Sequence, residues 1–324
     1  MEVIIKKTKP TASVVYDTYW KFAFKRQNIF FNRINNREEN NDDEILLKHK
    51  FTNAYRASDR VSQYLISKVI YNGSDYSKED ILLRILLFKI FNKIETWELL
   101  QSQVGNITVN SFDFELFSEV LMDAKNSHET IYSGAYIMAS GKSIYGYEFK
   151  HQNHLKLLEQ EVLNKSLIEK VRSTKSLQEL YNILLKIPTF GSFLAYQYAI
   201  DINYSILTNF SEMEFIVPGP GAKDGIKKCF IDFGDYDFSD IIKYVTDNQE
   251  KEFERLELDF KNLWGRRLQL IDCQNLFCET DKYARLIHPD ILGYSNRKRI
   301  KQIYKPKKGS INYFYPPKWG INIK

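Results

Sequence analysis

Leu184-Leu185-Lys186-Ile187-Pro188-Thr189-Phe190-Gly191-Ser192-Phe193-Leu194-Ala195 is the stretch on which the reading of this chain turns. An apolar helix runs into a proline, a tight turn with Gly191 follows, and a second apolar helix begins at once. This is the grammar of a helix-hairpin-helix. Gly191 takes a positive φ at little cost. The new helix points free backbone N–H groups outward, and with the helix dipole they hold a phosphate without reading bases. Thr189, Phe190, Gly191 and Ser192 are therefore candidate phosphate ligands. An ordinary helical hairpin packed in a core has the same pattern.

Working outward, helical signals dominate. Trp20, Phe24, Phe31 and Ile34 fall near helical spacing and predict a helix over residues 16–34. The polar run over 35–44 reads as a loop. Thr52 or Asn53 caps a helix expected to continue to Val69, and Asn72-Gly73-Ser74 stops it. Ser77-Lys78-Glu79-Asp80 has the form of a capping box and opens a helix over 81–92 that is apolar nearly all round, hence buried. Shorter helices are predicted over 97–104 and 112–125. Small residues over 134–146 suggest a connection between lobes. Further helices are expected over 154–172, 176–186, from the hairpin to about 204, from about Ala222, over 247–263 as one long charged helix, and over 268–286. Strand–helix alternation is missing, which argues against a parallel nucleotide-binding sheet.

The bulk numbers fit a globular protein of 324 residues, with 44% hydrophobic and 27% charged residues and a formal net charge of +5. The charge is unevenly spread. Arg297-Lys298-Arg299-Ile300-Lys301-Gln302-Ile303-Tyr304-Lys305-Pro306-Lys307-Lys308 carries only positive charges and leads to Tyr313, Phe314, Tyr315 and Trp319. Such a block attracts phosphate and releases counterions, although a solvated tail has the same composition. Three cysteines without a paired framework suit a reducing compartment. No window of eighteen apolar residues exists, so a cytoplasmic protein without membrane contact is expected. His151 and His154 have no convincing further ligand nearby, so neither metal nor cofactor is expected. Ser140-Gly141-Lys142-Ser143 only looks like the end of a phosphate loop, because position 136 is Tyr where that motif needs Gly.

Two polar constellations stand out. Asn53, Arg56, Arg60 and Gln63 have the spacing of one helix face, with Asp59 beside them. Asp272, Asn275, Glu279 and Lys282 share another face, with Gln274, Tyr283 and Arg285 close by. Such patterns build solvated surfaces, and they also supply the donors and acceptors that read a base edge. The loop Val217-Pro218-Gly219-Pro220-Gly221-Ala222-Lys223-Asp224 is rigid and precedes a helix start. Gly219, Gly221, Lys223 and Lys227 are candidate phosphate ligands there, and Arg297, Lys298 and Arg299 join them from the basic run.

The strings Trp20-x-Phe22-Ala23-x4-Asn28-Ile29-Phe30-Phe31-x-Arg33 and Phe51-Thr52-Asn53-Ala54-Tyr55-Arg56-Ala57-Ser58-Asp59-Arg60-Val61-Ser62-Gln63-Tyr64-Leu65-Ile66 resemble the helical domain found with 5-hydroxymethyl-deoxyuridine DNA kinases. Together with Val217 to Ala222 and Asp272-x-Gln274-Asn275-x2-Cys278-Glu279-x2-Lys282-Tyr283-x-Arg285, they also resemble the alpha-glutamyl/putrescinyl thymine pyrophosphorylase families. The resemblance implies kinship with helix-hairpin-helix DNA glycosylases and chemistry at a modified base in double-stranded DNA, with a branch in antiviral defence against phage.

The expected fold is mainly α, helix-hairpin-helix glycosylase-like, with two helical lobes around a DNA-binding cleft. Residues 1–140 form one lobe, 141–296 the hairpin lobe with the base pocket, and 297–324 a basic aromatic tail. The expected activity is that of a monomeric, monofunctional DNA glycosylase that flips out and excises a modified base from phage DNA. The alternative is a base-hypermodification transferase acting on a phosphorylated hydroxymethyl-pyrimidine. In either case Asn53, Tyr55, Arg56, Asp59, Gln63, Gln274, Asn275, Lys282 and Tyr283 contact the base. The position where such glycosylases carry an Asp is occupied here by Phe215-Ile216-Val217 followed by Pro-Gly-Pro-Gly. The catalytic carboxylate is left open among Asp224, Asp272 and Glu279.

Overall fold

The computed structural model describes residues 7–35, 42–134, 137–140, 143–164, 167–306 and 311–323. Most of the loop expected over 35–44, the Gly141-Lys142 pair and the Lys307-Lys308 end of the basic run lie outside them. The described residues are mainly helical, with one two-stranded antiparallel sheet, β1 (Thr11–Ala12) against β2 (Phe230–Asp232). The chain divides into two compact units. One takes residues 1–59, 216–312 and 321–324, and the other takes 60–215 and 313–320.

The first unit is built on α1 (Val14–Ile34), α2 (Glu44–Lys48), α11 (Pro220–Cys229), α12 (Phe238–Asp247), α13 (Gln249–Arg255) and α14 (Leu270–Ile287). Ser13 caps α1 by accepting from the Val15 N–H, and its own N–H donates to Cys229 O. α1 buries Tyr19, Trp20, Phe22 and Phe30, and Tyr19 meets Phe277 of α14 with ring centroids 4.6 Å apart. α11 lies against α14 because Gly221 and Gly225, one turn apart, present no side chain there. A Cβ on Gly225 would sit 2.0 Å from Phe277 O.

The charged helix expected over 247–263 is shorter than its charge pattern suggests. α13 ends at Arg255, Glu257 adopts φ 54°, and the chain folds back so that Phe260 stacks on Phe253 at 4.2 Å. Burial of two aromatic faces outweighs a further turn of solvated helix.

The second unit holds α3 (Arg60–Tyr64), a π-helical turn Leu65–Ile70, α4 (Lys78–Phe91), α5 (Ile94–Val104), α6 (Phe114–Asn126), α7 (Lys150–Leu157), a second π stretch Leu158–Asn164, α8 (Leu167–Ser173), α9 (Leu177–Leu185) and α10 (Ser192–Asn203). The Ser77–Asp80 capping box opens α4, and α4 is buried as expected from its apolar sequence. Arg84 is the exception in that apolar helix. It is fully buried, and its guanidinium donates to Val69 O (2.7 Å), Ile107 O (2.9 Å) and Lys68 O (3.3 Å) while lying over the Tyr76 ring. The cation thereby satisfies carbonyls at the end of the π turn.

The aromatic segment after residue 312 packs against this unit. Phe314 N–H donates to Gln63 Oε1 at 2.8 Å, and Trp319 meets Tyr204 edge-on. The Lys318 ammonium donates to the carbonyls of Asn203, Ser205 and Thr208, closing the C-terminal end of α10.

The helix expected from Asn53 to Val69 is broken. Residues 51–55 are not helical, Arg56–Ser58 is a 3-10 turn, and Asp59 is extended at φ −70°, ψ 145°. Asn53, Arg56, Arg60 and Gln63 therefore do not share a helix face. The Asp59 carboxylate takes up the Asn53 N–H, which a continuous helix would have left as an end group.

Candidate functional site

The broken segment is the centre of a polar cluster in the first unit. Tyr55 anchors it from inside, with its ring 1% exposed and its hydroxyl donating to Arg266 O at 2.7 Å and accepting from Leu263 N–H at 3.2 Å. Backbone groups around it are tied to α1 and α14. Arg26 of α1 donates through Nε to Thr52 O at 2.9 Å and through Nη2 to Asn53 Oδ1 at 3.2 Å. Glu279 of α14 accepts the Thr52 N–H at 3.0 Å, and Asp272, nearer the start of α14, accepts the Arg56 N–H at 2.8 Å. Asn53 completes the turn by donating from Nδ2 to Ser58 O at 2.8 Å.

Asp59 sits in this frame with its Oδ1 2.8 Å from Asn53 N. Burial pushes its carboxyl up to about 7, and the negative charge of Glu279 adds to the rise. The Asn53 N–H and the charges of Arg26 and Arg56 work against it. Burial likewise holds the Arg26 guanidinium below its ordinary value, opposed by Asp59 and Glu279. A carboxyl that changes charge near neutrality beside two guanidiniums can accept a proton from, or return one to, a bound group.

The other sequence candidates fall in several places. Lys282 bridges Glu279 Oε2 (2.7 Å) and Lys50 O (2.8 Å), and Asn275 is half-buried on the same helix. Asp272 also accepts the Gln269 N–H, closing the capping box that starts α14. Tyr283 is buried, donates to Asp43 Oδ2 at 2.5 Å and packs between Phe22 and Phe51. The rings of Tyr55 and Tyr283 are thus core residues. Gln63 belongs to the second unit. Gln274 accepts the Gly219 N–H at 3.1 Å, and Gly221 rests against the Cys278 side chain. Asp224 is 2% exposed and accepts both the Ser295 N–H (2.8 Å) and the Ser295 hydroxyl (2.5 Å), with Gly293 closing over it. Lys223, Lys227, Arg297, Lys298 and Arg299 are exposed.

In the hairpin, the positive φ belongs to Thr189 (68°), not Gly191. Gly191 is the extended N-cap of α10 at φ −70°, ψ 170°. The left-handed position thus falls directly after the proline, two residues before the glycine. Phe190 is buried against Tyr198, while Gly191 and Ser192 are exposed.

Sequence reasoning missed Arg26. Its neighbours three and four positions away are Phe22, Ala23, Ile29 and Phe30, none of them acidic. A cation on an apolar helix face with no partner on its own helix requires one from elsewhere, and that signal was available. Among the described residues no group of three or more His, Cys, Asp or Glu is placed to hold a metal ion, and no helix is long and apolar enough to cross a membrane.

The family described as 5-hmdU DNA kinase, helical domain, matches residues 13–293. A 5-hmdU DNA kinase of Bacillus phage SP10 is 27% identical to this chain over 339 residues, covering 97% of it and 52% of the phage protein. The chain thus spans about half the length of this curated relative. No solved structure matches it. These similarities correct the expected activity. A kinase is a transferase, so neither hydrolytic excision of a base nor a glycosylase role in antiviral defence is what the relative points to. Since that match runs from residue 13 to residue 293, well over half of the chain, this chain belongs to the 5-hmdU DNA kinase helical-domain family.

Proposed function

We propose that this chain is a transferase-type module of DNA base modification, which binds DNA and holds a 5-hydroxymethylpyrimidine for group transfer at its exocyclic oxygen. The observation that carries this reading is the Asp59 carboxyl, held by the Asn53 N–H at 2.8 Å and pushed up to about 7 by burial and Glu279 against the charges of Arg26 and Arg56. In the transfer, the hydroxymethyl O–H proton passes to Asp59 while its oxygen bonds to the incoming phosphorus of a nucleoside triphosphate. That phosphorus is the γ-phosphorus; its bond to the β,γ-bridging oxygen breaks, and the electron pair leaves with the nucleoside diphosphate. Asn53 and Arg56 orient the base, and Asp272 and Glu279 keep the 52–59 segment in register. The sequence has no phosphate-binding loop of the Gly-x-x-x-x-Gly-Lys-Ser/Thr kind, so a separate element holds the triphosphate.

The hairpin between α9 and α10 supplies a DNA contact in this reading. α10 starts without a side-chain cap, and its first turn lies open at Gly191 and Ser192. Such an end suits a phosphate group of the DNA strand.

The test uses a duplex oligonucleotide with one 5-hydroxymethyluracil, and the same duplex with thymine. Tighter binding of the hydroxymethyl duplex, and a mass gain on the intact strand when a nucleoside triphosphate and the triphosphate-binding element are supplied, are expected. Equal affinity for the two duplexes, or release of free base leaving an alkali-labile strand, overturns the proposal.

A further inference from the structure

Two segments far apart in sequence meet beside the 52–59 cluster in the first unit. Lys50 N–H donates to Gln302 O and Tyr304 N–H to Lys48 O, both at 3.0 Å, and His49 faces Ile303 in an antiparallel bridge. Lys48, Lys50, Lys301 and Lys305 lie on or next to this bridge, and Arg297, Lys298 and Arg299 lead into it. All seven are exposed.

These cations differ from their neighbours. Elsewhere in the same unit Lys7 pairs with Asp240, Lys25 with Asp43, Arg255 with Asp17 and Glu252, and Arg267 with Glu250. The seven along the bridge have no carboxylate partner among the described residues. Their backbone is nonetheless held firmly. Lys282 donates to Lys50 O and to Gln302 Oε1, Arg285 donates to Arg299 O, and Arg33 donates to the Tyr304 hydroxyl. A cluster of cations without carboxylate partners among the described residues, on a pinned backbone, binds a polyanion without first having to order its own chain.

His49 and Ile303 are the facing pair, so Lys48 and Lys50 flank the bridge beside Tyr304 and Gln302, and Lys301 and Lys305 stand two residues to either side of Ile303, which spreads the cations around this short bridge. The ribbon also runs directly into the cluster. Phe51 alone separates Lys50 from Thr52, whose N–H is bound by Glu279, and Glu279 is in turn paired with Lys282.

We propose that this lysine-rich ribbon is the track for the sugar-phosphate backbone of double-stranded DNA, next to the nucleotide held at Asn53 and Asp59. The choice of DNA rests on the function proposed above. The ribbon itself has no means of reading a base, so its contribution is the same for modified and unmodified duplex.

The experiment measures the affinity of the full chain for an unmodified duplex across a salt series. Lys48→Gln, Lys50→Gln, Lys301→Gln and Lys305→Gln are combined in one variant. Lys170→Gln with Lys175→Gln, exposed in the second unit, forms the control. Circular dichroism confirms that both variants are folded. The ribbon variant is expected to bind at least about tenfold more weakly, and the slope of log affinity against log salt to shrink by about 0.9 for each phosphate no longer neutralised. The control should match the wild type.

A ribbon variant with wild-type affinity and slope overturns the inference. So does competition by polyglutamate as effective as that by duplex, which would make the ribbon a general anion surface. Salt-dependent duplex binding that needs the ribbon but shows no preference for hydroxymethyl DNA keeps this inference and sinks the proposed function. Hydroxymethyl preference in a chain whose ribbon variant keeps wild-type duplex affinity and salt slope does the reverse.

Discussion

The Asn53 N–H donates to Asp59 Oδ1 across 2.8 Å, and this bond turns a segment that reads as helix into a closed loop. It also fixes in place a carboxyl whose proton affinity has moved into the neutral range.

Asp59→Asn keeps an oxygen for the Asn53 N–H and removes the proton acceptor. Transfer at the hydroxymethyl group should fall by about 10²–10⁴-fold while duplex affinity changes little. Wild-type rates should rise with pH through about 7, since the charged form accepts the proton. A pH–rate profile that stays flat from near pH 5 to near pH 8 argues against the role.

The same shift has a stability consequence with a definite sign. A carboxyl raised from 3.8 to about 7 on folding favours the folded state at pH values below 3.8, and that contribution is lost as pH rises through about 7. Asp59→Asn should therefore raise the melting temperature relative to wild type more near pH 8 than near pH 5. Thermal melts at the two pH values decide it.

Glu279 and Arg26 push Asp59 in opposite directions. Glu279→Gln should move the midpoint of the pH–rate profile down, and Arg26→Met should move it up. Shifts of the same sign in both variants would mean that the midpoint reports loop disorder rather than charge.

Arg84→Leu leaves the carbonyls of Val69, Ile107 and Lys68 without their donor in an apolar interior. At about 1–3 kcal/mol for each buried unsatisfied group, a loss of about 3 kcal/mol or more is expected in denaturant unfolding. A loss under about 1 kcal/mol would show that water reaches those carbonyls.

Gly225→Ala drives a Cβ into the Phe277 carbonyl, and backbone cannot step aside as a side chain can. Gly221→Ala meets only the Cys278 side chain, at 3.1 Å from Sγ. The first should cost more than about 3 kcal/mol and the second about 1 kcal/mol, by the usual range for overpacking. Equal melting temperatures for the two variants would contradict the close approach of α11 to α14.

The sequence made α1, α4, α9, α10 and α14 readable because each is decided by local pattern, from apolar spacing to a capping box or a proline. It hid what depends on distant partners. Asp59 ends a helix only because its carboxylate finds Asn53, and α13 ends only because Phe260 finds Phe253. The Asp272–Glu279–Lys282 face was legible from spacing on α14, and Arg297, Lys298 and Arg299 were legible as charge. Lys48 and Lys50 carry no such local signal, since only the bridge to residues 302–304 brings them beside the 297–305 cations.

The ammonium at Lys318 that closes α10 also sets a timetable. The carbonyls at Asn203, Ser205 and Thr208 wait for a donor that the ribosome adds more than a hundred residues later. During synthesis the second unit emerges with that helix end still open to water, and it reaches its finished form only when residues 313–320 have cleared the exit tunnel.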